Sequence, residues 1–297
     1  MRKIDKDYLN PPATLVSVSC NASIVLDCNT RTYHGSRYKS NDVKLALESL
    51  YLNKCGYCEE FIIGVARENI EHYRPKGGVE PIDLNPGTYH DGYYWLGNEW
   101  SNLLIACPRC NDQGNKGNRF PLSNAAKRVK DHRRFLASGS YWIKANHFSS
   151  SHMKSEDPLI LNPEMKDPDK HLHVINTGEL KPLRKSKYGT KTIEICDLNR
   201  KGSLVQRKKI IDDVVTAITQ NIVRHTSGQE PLTPGQFKVA MFDVFDEITK
   251  KTLPDAEFTM VSRCILRNFE QIILQDLRIP VVFRSIIRVQ FFDYIGI

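Results

Sequence analysis

Cys55 and Cys58 lie in "KCGYCE", and Cys107 and Cys110 lie in "ACPRCN". Two CxxC pairs separated by tens of residues are the pattern of a tetrahedral four-thiolate zinc site, each pair forming a knuckle that turns the backbone around the ion. Four ordinary buried thiols are the alternative; a redox CxxC fits less well, because there are two pairs and no thioredoxin-like strand-helix context. A four-cysteine site is coordinatively closed, so it pins a fold and leaves the chemistry to other groups. Those groups are near at hand. Glu71 and His72 stand in "NIEHYRPK", Asn102 precedes the apolar run "LLIAC", and Asn111 directly follows the last cysteine. A carboxylate and an amide oxygen are hard ligands suited to magnesium, and a neutral imidazole can take a proton from water. Taken singly, His72 reads equally well as a satisfied surface histidine, Glu71 as a solvent-facing strand residue and Asn102 as a helix cap.

The elements that must position these groups follow from periodicity. Val43, Leu47, Leu50 and Tyr51 predict a helix behind Asn41 as cap, delivering the chain to Cys55. "FIIGVARENIEHY" reads as two short strands or a hairpin, and the Gly- and Pro-rich run "PKGGVEPIDLNPGTYHDG" as a loop. Asn-Thr-Gly inside "HLHVINTGELKPL" predicts a second hairpin. Leu204, Ile211, Val214, Val215, Ile218 and Ile222 line one face of a long helix. Residues 229–235 read as a linker, with two further helices beyond it, and the first forty residues show only turn formers and scattered polar groups. Tyr94, Trp95 and Trp100 are expected in the core, and Cys20, Cys28, Cys196 and Cys264 as unligated thiols.

The chain of 297 residues has 40% apolar and 26% charged residues, the composition of an ordinary soluble protein. It has no apolar run long enough for a membrane span and no signal-peptide pattern, which predicts a cytoplasmic protein whose eight cysteines stay reduced. A net charge of +8 favours an anionic partner, of which nucleic acid is the commonest. Lys116 and Arg119 are candidates to touch a phosphate, and Lys127, Arg128, Arg133 and Arg134 form a basic run that either tracks a phosphate backbone or is simply solvated.

The order of these motifs resembles the zinc-knuckle HNH endonucleases. More narrowly, "KCGYCE", "IEHYRPK", "YYWLGNEWSNLLIACPRCN", "GNRFPL", "DPLILNP", "NTGELKPL" and "TIEICDLNR" look like the HNH subunit of the Septu anti-phage system and related retron-associated proteins, over roughly residues 40–225. The resemblance implies an α+β fold with a ββα-metal core, pinned by a structural Zn2+ and embedded in helices. The implied segments are an N-terminal arm (1–40), the nuclease core (41–135), a hairpin and long helix completing it (136–228), and a helical C-terminal region (229–297) that docks a partner. It also implies hydrolysis of phosphodiester bonds, in DNA first, beside an ABC-type ATPase. His72 becomes the general base, Glu71 and Asn111 the ligands of Mg2+ or Mn2+, and Asn102 the residue that holds the histidine-bearing loop. Asn111 stands where a second histidine is expected in the family pattern. The rival readings are a zinc ribbon that binds nucleic acid without cutting it and an assembly subunit with a degenerate core.

Overall fold

The first helix, α1 (Val18–Thr30), starts behind Ser17, whose hydroxyl accepts the Cys20 N–H, and it buries Cys20, Ile24 and Cys28 at helical spacing. Sequence pattern predicts only turns in this arm. Val18, Val25 and Leu26 stay exposed on the opposite face, so the polar stripe that marks an amphipathic helix is missing. Helix α2 (Asn41–Tyr51) buries Val43, Leu47 and Tyr51 as expected, but its cap is Ser40, one residue before Asn41. The computed structural model describes residues 1–62, 70–112, 114–131, 151–227 and 230–296.

Strand β1 (Ile70–His72) pairs antiparallel with β2 (Leu103–Ile105), with His72 opposite Leu103 and Ile70 opposite Ile105. Of the strands predicted over "FIIGVARENIEHY", residues 63–69 lie outside the described residues. All of β1 and β2 is buried, and α3 (Pro108–Asn111) follows β2 with Cys107 as its cap. The connection between the strands is a loop with short 3-10 turns, packed on itself: a Cβ at Gly92 (φ +87°) would stand 2.3 Å from the Gly78 nitrogen, so only glycine fits there. Tyr94, Trp95 and Trp100 are core residues of this region.

A short helix α4 (Ser151–Lys154) precedes the predicted hairpin, β3 (Leu172–Val174) with β4 (Leu180–Pro182). Its turn needs Gly178 at φ +81°, and a Cβ there would stand 2.7 Å from the Lys208 nitrogen, so the hairpin tip docks on the long helix. The helical half comprises α5 (Lys187–Ile195), α6 (Lys201–Thr226), α7 (Pro234–Lys250), α8 (Thr259–Arg267), a π-helical turn (Glu270–Leu274) and α9 (Val281–Ile295). The linker expected through Gly235 ends earlier, because Pro234 at N1 and a Thr233/Gln236 capping box start α7. Among the described residues no helix is long and apolar enough to cross a membrane.

The apolar C-terminus packs back on the chain, chiefly on α7 and the π turn. Phe291 stacks on Phe269 at 4.1 Å and meets Phe245 edge-on at 5.3 Å, with Ile287 buried beside them. Phe291→Ala empties this aromatic contact and should lower the unfolding free energy by about 3–5 kcal/mol in chemical denaturation. A loss below about 1 kcal/mol would mean that α9 docks weakly.

Candidate functional site

The four cysteines converge: their Sγ atoms all lie within 4.8 Å of one another, and Cys58 Sγ and Cys107 Sγ are 3.7 Å apart. A zinc tetrahedron with bonds of about 2.3 Å has edges of about 3.8 Å, so the cluster fits the ion. Backbone hydrogen bonds build it. Gly56 N–H donates to Ile105 O at 2.8 Å, tying the first knuckle to β2, and Cys107 N–H donates to Cys55 Sγ at 3.3 Å. The thiols share hydrogen bonds that hold Cys107 below the ordinary range and push Cys110 above it, so the thiolate that a metal needs forms first at Cys107. Arg200, which sequence reasoning did not single out, places Nη1 3.4 Å from Cys110 Sγ and Nη2 2.8 Å from Glu60 Oε2. Burial lowers its pKa, but Cys110, Cys58 and the Glu60 carboxylate raise it by more, so Arg200 keeps its charge beside the cluster.

The knuckles set the register of the candidate active groups. Glu71 and His72 end β1, facing Leu104 and Leu103, and Asn111 ends α3, one residue after Cys110. All three line a pocket of about 410 Å3 with Tyr38, Lys39 and Lys76. His72 is buried, not an exposed surface histidine, and its Nε2 lies 2.9 Å from Gly97 O. A carbonyl only accepts, so Nε2 carries the proton and Nδ1 keeps its lone pair for the pocket. Burial first, then the charge of Lys76, pushes the imidazole pKa well below the usual histidine range, against the Gly97 carbonyl. The ring is therefore neutral at physiological pH.

Asn102 lies outside the pocket and beneath it. Its Oδ1 accepts the Arg74 N–H at 2.8 Å, and its Nδ2 donates to Arg74 O at 3.0 Å and Leu96 O at 3.2 Å, which clamps the chain two residues after His72. Arg74 itself is buried against Glu156 at 2.9 Å. Glu71 is ion-paired with Lys116, whose Nζ also donates to His72 O at 2.8 Å. Burial raises the Glu71 carboxyl above its usual value, while Lys116 and the Asn111 amide pull it down. Asn111 Oδ1 is a buried acceptor with no hydrogen-bond partner among the described residues. A carboxylate beside a free amide oxygen is a donor set that fits Mg2+ or Mn2+.

The expected phosphate contacts divide. Lys116 is fully buried on Glu71, and Arg128 is buried with Nη2 on Asp83 O and Phe120 O, so neither presents its charge at a surface. Arg119 is paired with Asp83 at 2.9 Å, Lys127 is exposed, and Arg133 and Arg134 lie outside the described residues. Buried cations need acceptors, and each of these found them within the fold. Sequence reasoning missed Tyr38, Lys39 and Lys76; of these only Lys76 stood near a motif, four residues after His72 in "EHYRPK".

Comparison with known proteins finds relatives among the Septu proteins. A stretch of 177 residues, 60% of the chain, is 36% identical to Septu protein PtuB of Bacillus mycoides (strain KBAB4). The chain is similar to Septu protein PtuB. It spans 53% of that relative's length; the PtuB of Bacillus thuringiensis is matched more extensively, at 22% identity over 89% of this chain and 82% of the relative. Septu protein PtuA of Bacillus mycoides is 30% identical over 160 residues, which are 19% of its length. No family model matches the chain, and no solved structure matches it significantly.

In this PtuB-like chain, metal analysis should find about one zinc per chain, and Cys107→Ser should lose it together with the fold, because structural zinc contributes roughly 10 kcal/mol or more to folding. Arg200→Ala should stay folded but yield its zinc to a chelator at about 10- to 100-fold lower competitor concentration. An unchanged competition curve would reduce Arg200 to an ordinary ion-pair residue.

Proposed function

We propose that the chain is a metal-dependent HNH endonuclease that hydrolyses phosphodiester bonds in nucleic acid, DNA first, as the cytoplasmic effector of a Septu-type anti-phage system working with an ABC-type ATPase. The observation that carries this reading is the orientation of His72: Nε2 is fixed on Gly97 O, and Nδ1 faces a pocket shared with Glu71, Asn111 and Lys76, whose Nζ lies 3.4 Å from it. On this reading β1, β2 and α3 are the ββα unit, with the zinc knuckles as its frame.

His72 Nδ1 takes the proton from the attacking water, and the neutral ring is ready to do so without first losing one. Glu71 and Asn111 Oδ1 would hold the divalent cation, which when bound offsets the charge that grows on the phosphate and the leaving oxygen. Asn102 keeps the Arg74 backbone, and so His72, from drifting. A second reading, a zinc-stabilised binding or assembly subunit that does not cut, draws on Lys116, whose ammonium already neutralises Glu71.

His72→Ala separates the two. The variant should retain zinc and fold, with stability lower by about 1–3 kcal/mol because Gly97 O loses its donor, and cleavage of supercoiled plasmid or tRNA in Mg2+ or Mn2+ should vanish. Full cleavage by the variant would move the chemistry elsewhere, and no cleavage by the parent chain would favour the second reading.

On this reading the ATPase docks on α9, which buries Ile287 and Phe291 and leaves Val281 and Val282 each 74% exposed and Val289 64% exposed. Val282→Asp with Val289→Asp should abolish co-purification with the ATPase while cleavage and zinc content persist. Undiminished co-purification would remove α9 from the interface.

A further inference from the structure

Lys39 and Lys76 reach the pocket from different parts of the chain, the first from the arm before α2 and the second from the loop after β1. Both ammonium groups rest on one ring: Lys39 Nζ is 5.7 Å and Lys76 Nζ 5.1 Å from the Tyr38 centroid, and Lys76 Nζ is also 5.7 Å from that of Tyr33. Tyr38 in turn packs edge-on against the His72 ring at 4.5 Å. Lys76 Nζ donates to His72 Nδ1 at 3.4 Å, the ring nitrogen that faces the pocket.

Among the described residues neither lysine is ion-paired with a carboxylate, whereas Lys116 and Arg119 beside them are. Glu71, the acid of the pocket, is already engaged from below by Lys116. Burial, opposed by Glu71 and reinforced by Lys39, lowers the pKa of Lys76, as expected of a cation short of counter-charge. Two like charges drawn to one aromatic ring repel each other, and the ring quadrupole offsets only part of that repulsion. An anion between them removes it. The pocket is polar and about 410 Å3 in volume, room for a phosphate group rather than a stacked base pair.

We infer that Lys39 and Lys76, held on Tyr38, form a phosphate subsite that grips the non-bridging oxygens of a phosphodiester beside His72. The inference rests on the proposed function for the identity of its ligand and names the residues that would hold the substrate. It places substrate recognition partly on the N-terminal arm, outside the zinc-knuckle core. Lys39 and Lys76 replace Lys116 and Arg128 as the phosphate-binding cations, since those two are buried in internal contacts.

The test uses the full-length, zinc-loaded chain and short fluorescein-labelled DNA and RNA duplexes, in buffer without magnesium or manganese, with binding read by anisotropy across a salt series. Lys39→Met and Lys76→Met should each flatten the slope of log affinity against log salt by about 0.9, the signature of one lost phosphate contact. Lys39→Arg and Lys76→Arg should restore the slope, and Lys209→Met, on the exposed face of α6, should leave it unchanged. Melting temperature and zinc content, measured alongside, confirm that each variant is folded. Unchanged slopes in both methionine variants overturn the subsite, as does a parent chain that binds neither duplex. A parent chain that binds with the lysine-dependent slope yet cuts neither duplex in Mg2+ or Mn2+ supports the subsite and overturns the endonuclease reading, and the two duplexes distinguish DNA from RNA as the source of the phosphate.

Discussion

The convergence of Cys55, Cys58, Cys107 and Cys110 is the contact on which the geometry of the site depends. It joins two stretches of chain about fifty residues apart. Without it, β1 and β2 would be held by a ladder of only three residue pairs, too short to be stable alone. With it, Cys107 fixes the end of β2 and Cys110 fixes α3, so the position of Asn111 is set by covalent connection to a ligand. The helical half takes part as well: Arg200, at the start of α6, bridges the cluster and Glu60, and Glu59 accepts from Thr259 and Met260 at the start of α8. The helices are therefore part of the frame.

A second layer of constraint is polar and buried. His72, Arg74, Asn102, Lys116 and Glu156 have almost no exposed surface, and each is bonded to a partner in the fold. Glu156 alone accepts from Arg74, the Tyr93 hydroxyl and the Val129 N–H. Removing one member of such a network leaves its neighbours buried and unsatisfied, so the loop after β1 has one strongly preferred arrangement. That rigidity suits a histidine whose tautomer is chosen by a single carbonyl.

What could be read from the sequence was whatever repeats with a period or carries a motif. The CxxC pairs, the Asn-Thr-Gly hairpin, α2, α6 and α7 have such signals, and Glu71, His72 and Asn111 were legible as neighbours of the knuckles. Helix α1 was not, because its apolar residues face both ways, and α9 showed its composition but not its packing partner, which tertiary contact decides. The fate of the cations was equally hidden. Nothing local distinguishes Lys116, buried on a carboxylate 45 residues upstream, from Lys39, which has no carboxylate partner among the described residues; the difference lies in which chain segments meet.

That difference bears on how the pocket would work under the proposed function. Glu71 is its one carboxylate among the described residues; it is paired with Lys116 and shares the pocket with Lys39 and Lys76. Three ammonium groups around one acid oppose the entry of a divalent cation alone, and two protein ligands are few for an ion that prefers six oxygens. A phosphate would reverse both terms: it would neutralise Lys39 and Lys76, and its oxygens would add to the ligands that Glu71 and Asn111 would offer. Cation and substrate would then bind cooperatively, each weak without the other. Under that function, such a pocket would keep a cleavage-competent site from assembling until a backbone phosphate is in place, and the buried, neutral His72 would then need no further change of protonation.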